Sequence, residues 1–173
     1  MRGLLALAGL MIVTLAAPSV ARAEISDADL AEKVVDAVLG YSKFGIFDDV
    51  GVGVNNRVVT LTGRVTEPIK RDEIGKRVAK IDGIRTLINE IQVLPLSPLD
   101  ARLRLRISQA IYGNNAFWRY AAMSQPPIHI IVEGGHVTLT GFVASELERN
   151  LAYALAQVPG TFSVRNNLKI DRQ

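Results

Sequence analysis

The chain has no cysteine among its 173 residues. That excludes disulfides and thiolate metal sites, and with them a lipid carried on an N-terminal cysteine. Aromatics are scarce: 6% of the residues, with one tryptophan, Trp118, and two histidines, His129 and His136. Beyond the first 23 residues no apolar run approaches the roughly 20 residues that a membrane-spanning helix needs. Phosphate-loop, nucleophile-elbow and dinucleotide patterns are all missing, so neither catalysis nor a cofactor is expected. A large charge excess is lacking too. The whole chain has 20 basic and 17 acidic residues, and without Arg2 and Arg22 the balance is 18 to 17. A nucleic-acid binder would need a basic surplus.

What is present begins with a leader. "MRGLLALAGLMIVTLAAPSVARA" has one early basic residue, an apolar run from Leu4 to about Ala17, and small residues at Ala21 and Ala23. It reads as a signal peptide over residues 1–23, cleaved after Ala23. The product is expected in the periplasm, soluble and not a lipoprotein.

The rest is a duplication. "NRVVTLTGRV" at 56–65 and "GHVTLTGFV" at 135–143 share V-T-L-T-G-x-V, 78 positions apart. Self-similarity at fixed spacing marks one copied structural unit. In the first copy Ser26 caps a helix whose apolar face is Leu30, Val34, Ala37, Val38 and Tyr41. "VGVGV" at 50–54 and the 58–65 segment alternate as a hairpin about Asn55-Asn56. Thr66-Glu67-Pro68 opens a second helix with Ile74, Val78 and Ile81 inward. A closing strand runs from about Arg85 to Val93.

The second copy repeats this order. Leu103, Ile107, Ala110 and Ile111 form the first helical face, and Ile128, Ile130 and Val132 alternate before a Glu133-Gly134-Gly135 turn. Ser145 and Glu148 make a capping box ahead of Leu147, Leu151, Leu155 and Val158. Val164, Asn166, Leu168 and Ile170 close the unit. Each copy therefore reads as αββαβ. The expected fold is α+β: two tandem sandwich domains, each with two helices on a three-stranded mixed sheet. The domains span 24–94 and 100–173, joined by a Pro-containing linker at 95–99. Gly63 and Gly141, before the second helix of each unit, and Gly83 and Gly160, after it, are expected to be structural.

Val59, Leu61, Gly63, Val65, Gly83 and Asn89, and again Val137, Leu139, Gly141, Val143, Gly160, Val164 and Asn166, stand in an order that resembles the BON domain. The resemblance covers about Ser26 to Ile170. It implies a non-enzymatic binding module of the exported Gram-negative type, linked to envelope integrity and osmotic stress. Some relatives bind anionic phospholipid, and related domains occur on secretin and channel proteins. Anionic phospholipid is thus the expected partner, and an envelope protein assembly the alternative.

The copies differ in two ways. Residues 24–97 carry 10 basic and 12 acidic side chains, whereas 98–173 carry 8 and 5. The second copy also gains five residues between its first helix and first strand, within "YGNNAFWRYAAMSQPP". That insert holds Phe117, Trp118 and Tyr120 around Arg119. On the preceding helix Arg102 and Arg106 share one side, while Leu105 and Tyr112 share another, away from the core stripe. Aromatics with arginines suit a membrane interface, which makes Arg102, Leu105, Arg106, Tyr112, Phe117, Trp118, Arg119 and Tyr120 the candidate lipid- or partner-binding set. A second reading stands beside it, in which the aromatics fill the interface between the domains.

Other groups read as bland. His129 and His136 are expected on the surface, facing each other across the hairpin at most, with no further ligand to complete a metal site. Asp48-Asp49 and Asp72-Glu73 are expected to be solvated. Lys70, Arg71, Lys76, Arg77 and Lys80 form a polar helix face.

Overall fold

The computed structural model describes residues 25–171; the expected leader, 1–23, lies outside the described residues. Ser26 caps the first helix, α1 (Asp27–Leu39), its hydroxyl accepting from the Asp29 N–H at 3.1 Å. Leu30, Val34 and Val38 recur on one side of α1 and are buried, the spacing of a core-facing stripe. Strands β1 (Asp49–Asn55) and β2 (Val58–Val65) follow as an antiparallel hairpin. The turn falls on Asn56 and Arg57, with φ of 48° and 62°, one residue later than the Asn55-Asn56 expected. Paired positive φ angles suit the right-handed twist of a tight hairpin.

Helix α2 (Pro68–Val78) begins on its proline and buries Ile74 and Val78. The expected single closing strand is in two pieces, β3 (Thr86–Asn89) and β4 (Gln92–Val93), both parallel to β2. The break has a local cause in Asn89. Its Oδ1 accepts from the Ile91 N–H and its Nδ2 donates to the Arg71 carbonyl, each at 3.2 Å. A side chain that competes with the ladder interrupts the strand and ties it to α2.

The second copy repeats each feature. Helix α3 (Pro98–Tyr112) is followed by the insert, which forms a 3-10 turn (Asn115–Phe117) and the one-turn helix α4 (Trp118–Ala121). Then come β5 (Ile128–Glu133), β6 (His136–Val143), α5 (Glu146–Leu155), β7 (Ser163–Asn166) and β8 (Lys169–Ile170). β6 pairs antiparallel with β5 and parallel with β7 and β8. Asn166 plays the part of Asn89, with Nδ2 donating to the Arg149 carbonyl at 2.8 Å and Oδ1 accepting from the Leu168 N–H.

The cores are separate. One gathers around Leu30, Val34, Leu61 and Ile74, the other around Ile107, Ile111, Phe117, Ile130 and Leu139. On α5 the expected face is kept by Leu151, Leu155 and, beyond its end, Val158, which pack against the core, but Leu147 is 77% exposed and Ala152 takes the central buried position. Gly63 has φ +108°, and a Cβ there would run into the Asp49 carbonyl; Gly141, at +101°, would meet that of Pro127. Gly83 and Gly160 also have positive φ, in the turns that follow α2 and α5.

The domains meet through the loop between α1 and β1. Its Phe47 packs against the second core, and the Ile46 carbonyl accepts from the Ile130 N–H at 2.7 Å. Phe44 lies 5.5 Å from the His129 ring, and Arg64 pairs with Glu133 at 3.4 Å. His129 is therefore half-buried at the domain contact rather than on the surface. Across the hairpin it sits opposite Thr140, whereas His136 sits opposite Glu133, so the histidines do not face each other.

Candidate functional site

The strands of both copies share one register: Val50 opposes Gly63 as Ile128 opposes Gly141. Position 48 therefore corresponds to 126, 66 to 144 and 70 to 148. At these places each copy carries a polar latch between the segment before its first strand and the start of its second helix. In the first copy Asp48 is fully buried, contrary to the solvated carboxylate expected. It accepts from the Gly45 N–H at 3.0 Å, the Thr66 N–H at 2.8 Å, the Thr66 hydroxyl at 2.9 Å and the Lys70 ammonium at 2.7 Å. Lys70 is correspondingly buried, not part of an open polar face.

In the second copy an acid stands in the place of the base. Pro126 stands in for Asp48, and Glu148 occupies the place of Lys70. The insert supplies the partners. The Tyr120 hydroxyl donates to Glu148 Oε2 at 2.7 Å, and the Arg119 guanidinium pairs with Glu148 Oε1. The Ala144 N–H donates to both Tyr120 Oη and Glu148 Oε2 at 2.9 Å. Glu148 is also the expected capping-box glutamate, but it reaches the Ala144 amide. Burial, then the bond to the Glu148 carboxylate, pushes the Tyr120 phenol above its usual value.

These contacts divide the eight candidate residues. Phe117 is fully buried in the second domain's own core, and Tyr120 is 6% exposed. Both belong to the second domain's core, and the insert meets the first domain through Gln125, whose side-chain amide donates to the Leu39 carbonyl. Tyr112 packs against the same core, its hydroxyl donating to the Ile128 carbonyl at 2.5 Å and accepting from the Ile128 N–H at 3.2 Å. It does not point away from the core stripe, and burial pushes its phenol far up. Arg119 is half-exposed but engaged by Glu148. Trp118 is 69% exposed and Leu105 54%, while Arg102 and Arg106 are exposed on α3.

Sequence reasoning missed three features. Arg104, between the two exposed arginines, is buried and donates to the Val132 carbonyl at 2.9 Å. Asp100 is buried beneath the hairpin turn, accepting from the Gly134 and Gly135 N–H groups at 2.9 Å each. The insert also walls a groove of about 720 Å³, with Met123, Pro127 and Phe142 as apolar lining and Arg119 and Asp171 among its polar residues. Of its lining, the sequence singled out Arg119 and Tyr120, for an interface rather than for a groove. Among the described residues no group of three or more histidines or carboxylates is placed to hold a metal.

Two copies of one αββαβ unit, differing at one latch and one exposed helical surface, define a duplicated module of the binding type. The chain belongs to the BON domain family: the family model matches residues 26–95 and again 100–172, and no catalytic family is indicated. No curated protein matches the chain significantly. Among solved structures it is similar to the C-terminal domain of CdsD, a structural protein of the type III secretion system of Chlamydia trachomatis. That match has 15% identity and a TM-score of 0.31, covering 86% of this chain and 100% of that one. A second CdsD structure gives 14% identity and a TM-score of 0.29, with coverage of 83% and 94%.

Proposed function

We propose that the protein is a non-enzymatic periplasmic module that attaches reversibly to anionic phospholipid of the envelope and supports envelope integrity under osmotic stress. The attaching surface is on the second domain: Arg102, Leu105 and Arg106 on α3, and Trp118 on α4. The observation that carries this reading is the exposure of Trp118, 69% for the only tryptophan in the chain. Exposing so large an apolar surface is unfavourable in water and favourable at a bilayer interface, where an indole has an apolar body and a polar edge to place. The two exposed arginines add attraction to an anionic leaflet of about 1 kcal/mol each. Attachment of that strength is weak and reversible.

Co-sedimentation with phosphatidylglycerol vesicles tests the reading, with phosphatidylcholine vesicles as the neutral control. The parent should sediment with the anionic vesicles and be released by salt. Arg102→Ala/Arg106→Ala should lose about 2 kcal/mol of partitioning, roughly thirtyfold, and Trp118→Ala should weaken it further. Because Trp118 is the sole indole, its fluorescence should shift to the blue on binding. Variants that sediment as well as the parent remove this site. A salt-resistant protein partner captured from envelope extract, with no vesicle binding, would mark a protein-docking module instead.

A further inference from the structure

The two first strands of the duplicated sheets meet different fates. In the second domain the outer edge of β5 is covered: Ile46 accepts its Ile130 N–H, and Ile128, Ile130 and Val132 are all fully buried. In the first domain β1 is likewise the terminal strand of its sheet. Among the described residues no backbone–backbone hydrogen bond reaches Asp49–Asn55 except from β2. Val50, Val52 and Val54 remain only half-buried beneath α1.

An open edge invites another strand, and proteins that must avoid this place lysine, proline or a bulge there. β1 has none of these. Its seven residues pair with β2 in unbroken register, and its one charge, Asp49, stands at its start. Its core, Val50-Gly51-Val52-Gly53-Val54, moreover reads the same in both directions. Antiparallel pairing about a two-fold axis through Val52 places Val52 on Val52, Val50 on Val54 and Gly51 on Gly53 of the other copy. Asp49 meets Asn55, so no like charges oppose. A two-fold interface has to be complementary to itself, and a palindromic strand satisfies that residue by residue. The bare glycines leave one face of the joined strands unobstructed, while the valines continue the apolar layer on the other.

We infer that β1 is a self-association edge at which two copies of this chain join their first-domain sheets into one continuous sheet. Antiparallel neighbours put matching side chains on the same face, so the two α1 helices come to the same side. Each exposes Asp29, Glu32 and Asp36 against Lys33. Screening that like-charge repulsion strengthens the association, so salt favours the dimer, the opposite of its effect on lipid attachment. The inference does not rest on the lipid reading.

Sedimentation equilibrium of the parent protein should show an average mass that rises with concentration toward two chains, and rises further with added salt. Since the chain has no cysteine, Val52→Cys introduces a unique thiol on the two-fold axis. Paired residues there have Cα atoms about 4.5–5.5 Å apart, within the range of a disulfide. Mild oxidation should cross-link Val52→Cys and leave Ile88→Cys, on the opposite edge strand, monomeric. Val52→Lys and Val52→Glu should each be monomeric alone and pair when mixed, which a merely misfolded variant would not do. The inference is overturned if the parent keeps a single-chain mass at every concentration. Cross-linking at position 88 but not 52, or charge variants that do not pair when mixed, overturns it as well.

Discussion

Asp100 joins two elements far apart in the chain. From the first turn of α3 it accepts the Gly134 and Gly135 N–H groups of the β5–β6 turn, and Asp27 does the same for Asn56 and Arg57 at 2.7 and 2.9 Å. Burial of Asp100 opposes its ionisation, but the two backbone N–H groups, Ser97 and nearby Arg104 outweigh it and hold the carboxyl below its ordinary value of 3.8. A carboxyl whose folded-state pKa is depressed contributes stability above its unfolded value, and loses it as the pH falls through the folded one. The second domain should therefore weaken in acid below about pH 4. Asp100→Asn should cost about 2 kcal/mol at neutral pH and flatten the acid side of the profile, read by urea unfolding across pH. The sequence did not single the residue out, because its partners lie more than 30 positions on.

Elements are held to one another by the two latches, and here the copies diverge most. Asp48 and Lys70 form a buried pair in which both charges are satisfied. Removing one strands the other, at a cost of roughly 3–5 kcal/mol. Asp48→Ala should lower the urea midpoint accordingly, and Asp48→Ala/Lys70→Met should recover most of the loss, since an apolar pair leaves no buried charge. Full loss in the double variant would mean that the Gly45 and Thr66 contacts, not the ion pair, carry the latch. In the second copy the five added residues were visible by counting, but their roles were not. Successive helical positions point about 100° apart, so a one-turn helix sends Trp118 outward and Tyr120 inward, with Phe117 buried in the turn before it. A run of adjacent aromatics has no period from which to read that division. On α5 and at its C-cap, small Ala152 and Ala156 are fully buried beside Leu151 and Leu155, leaving Leu147 exposed; hydrophobicity alone favoured Leu147.

At the scale of the molecule, the first domain finishes the second. Phe47, in the first domain's loop, packs against the second core, and Ile46 covers the β5 edge. Phe47→Ala should remove roughly 2 kcal/mol, less than a fully buried phenylalanine would. The loss should appear in the second domain, as faster hydrogen exchange at Ile130 and its neighbours; equal loosening of both domains would contradict this contact. Duplication, the order of helices and strands, both hairpins and the glycines beside them followed from the sequence by itself. Periodicity and turn chemistry are local, and a copied pattern states them twice. Tertiary structure alone decided which charges are buried, which aromatics face water and which sheet edge stays open. Each of those depends on atoms brought together from distant parts of the chain, and burial is a property of what surrounds a residue, not of the residue.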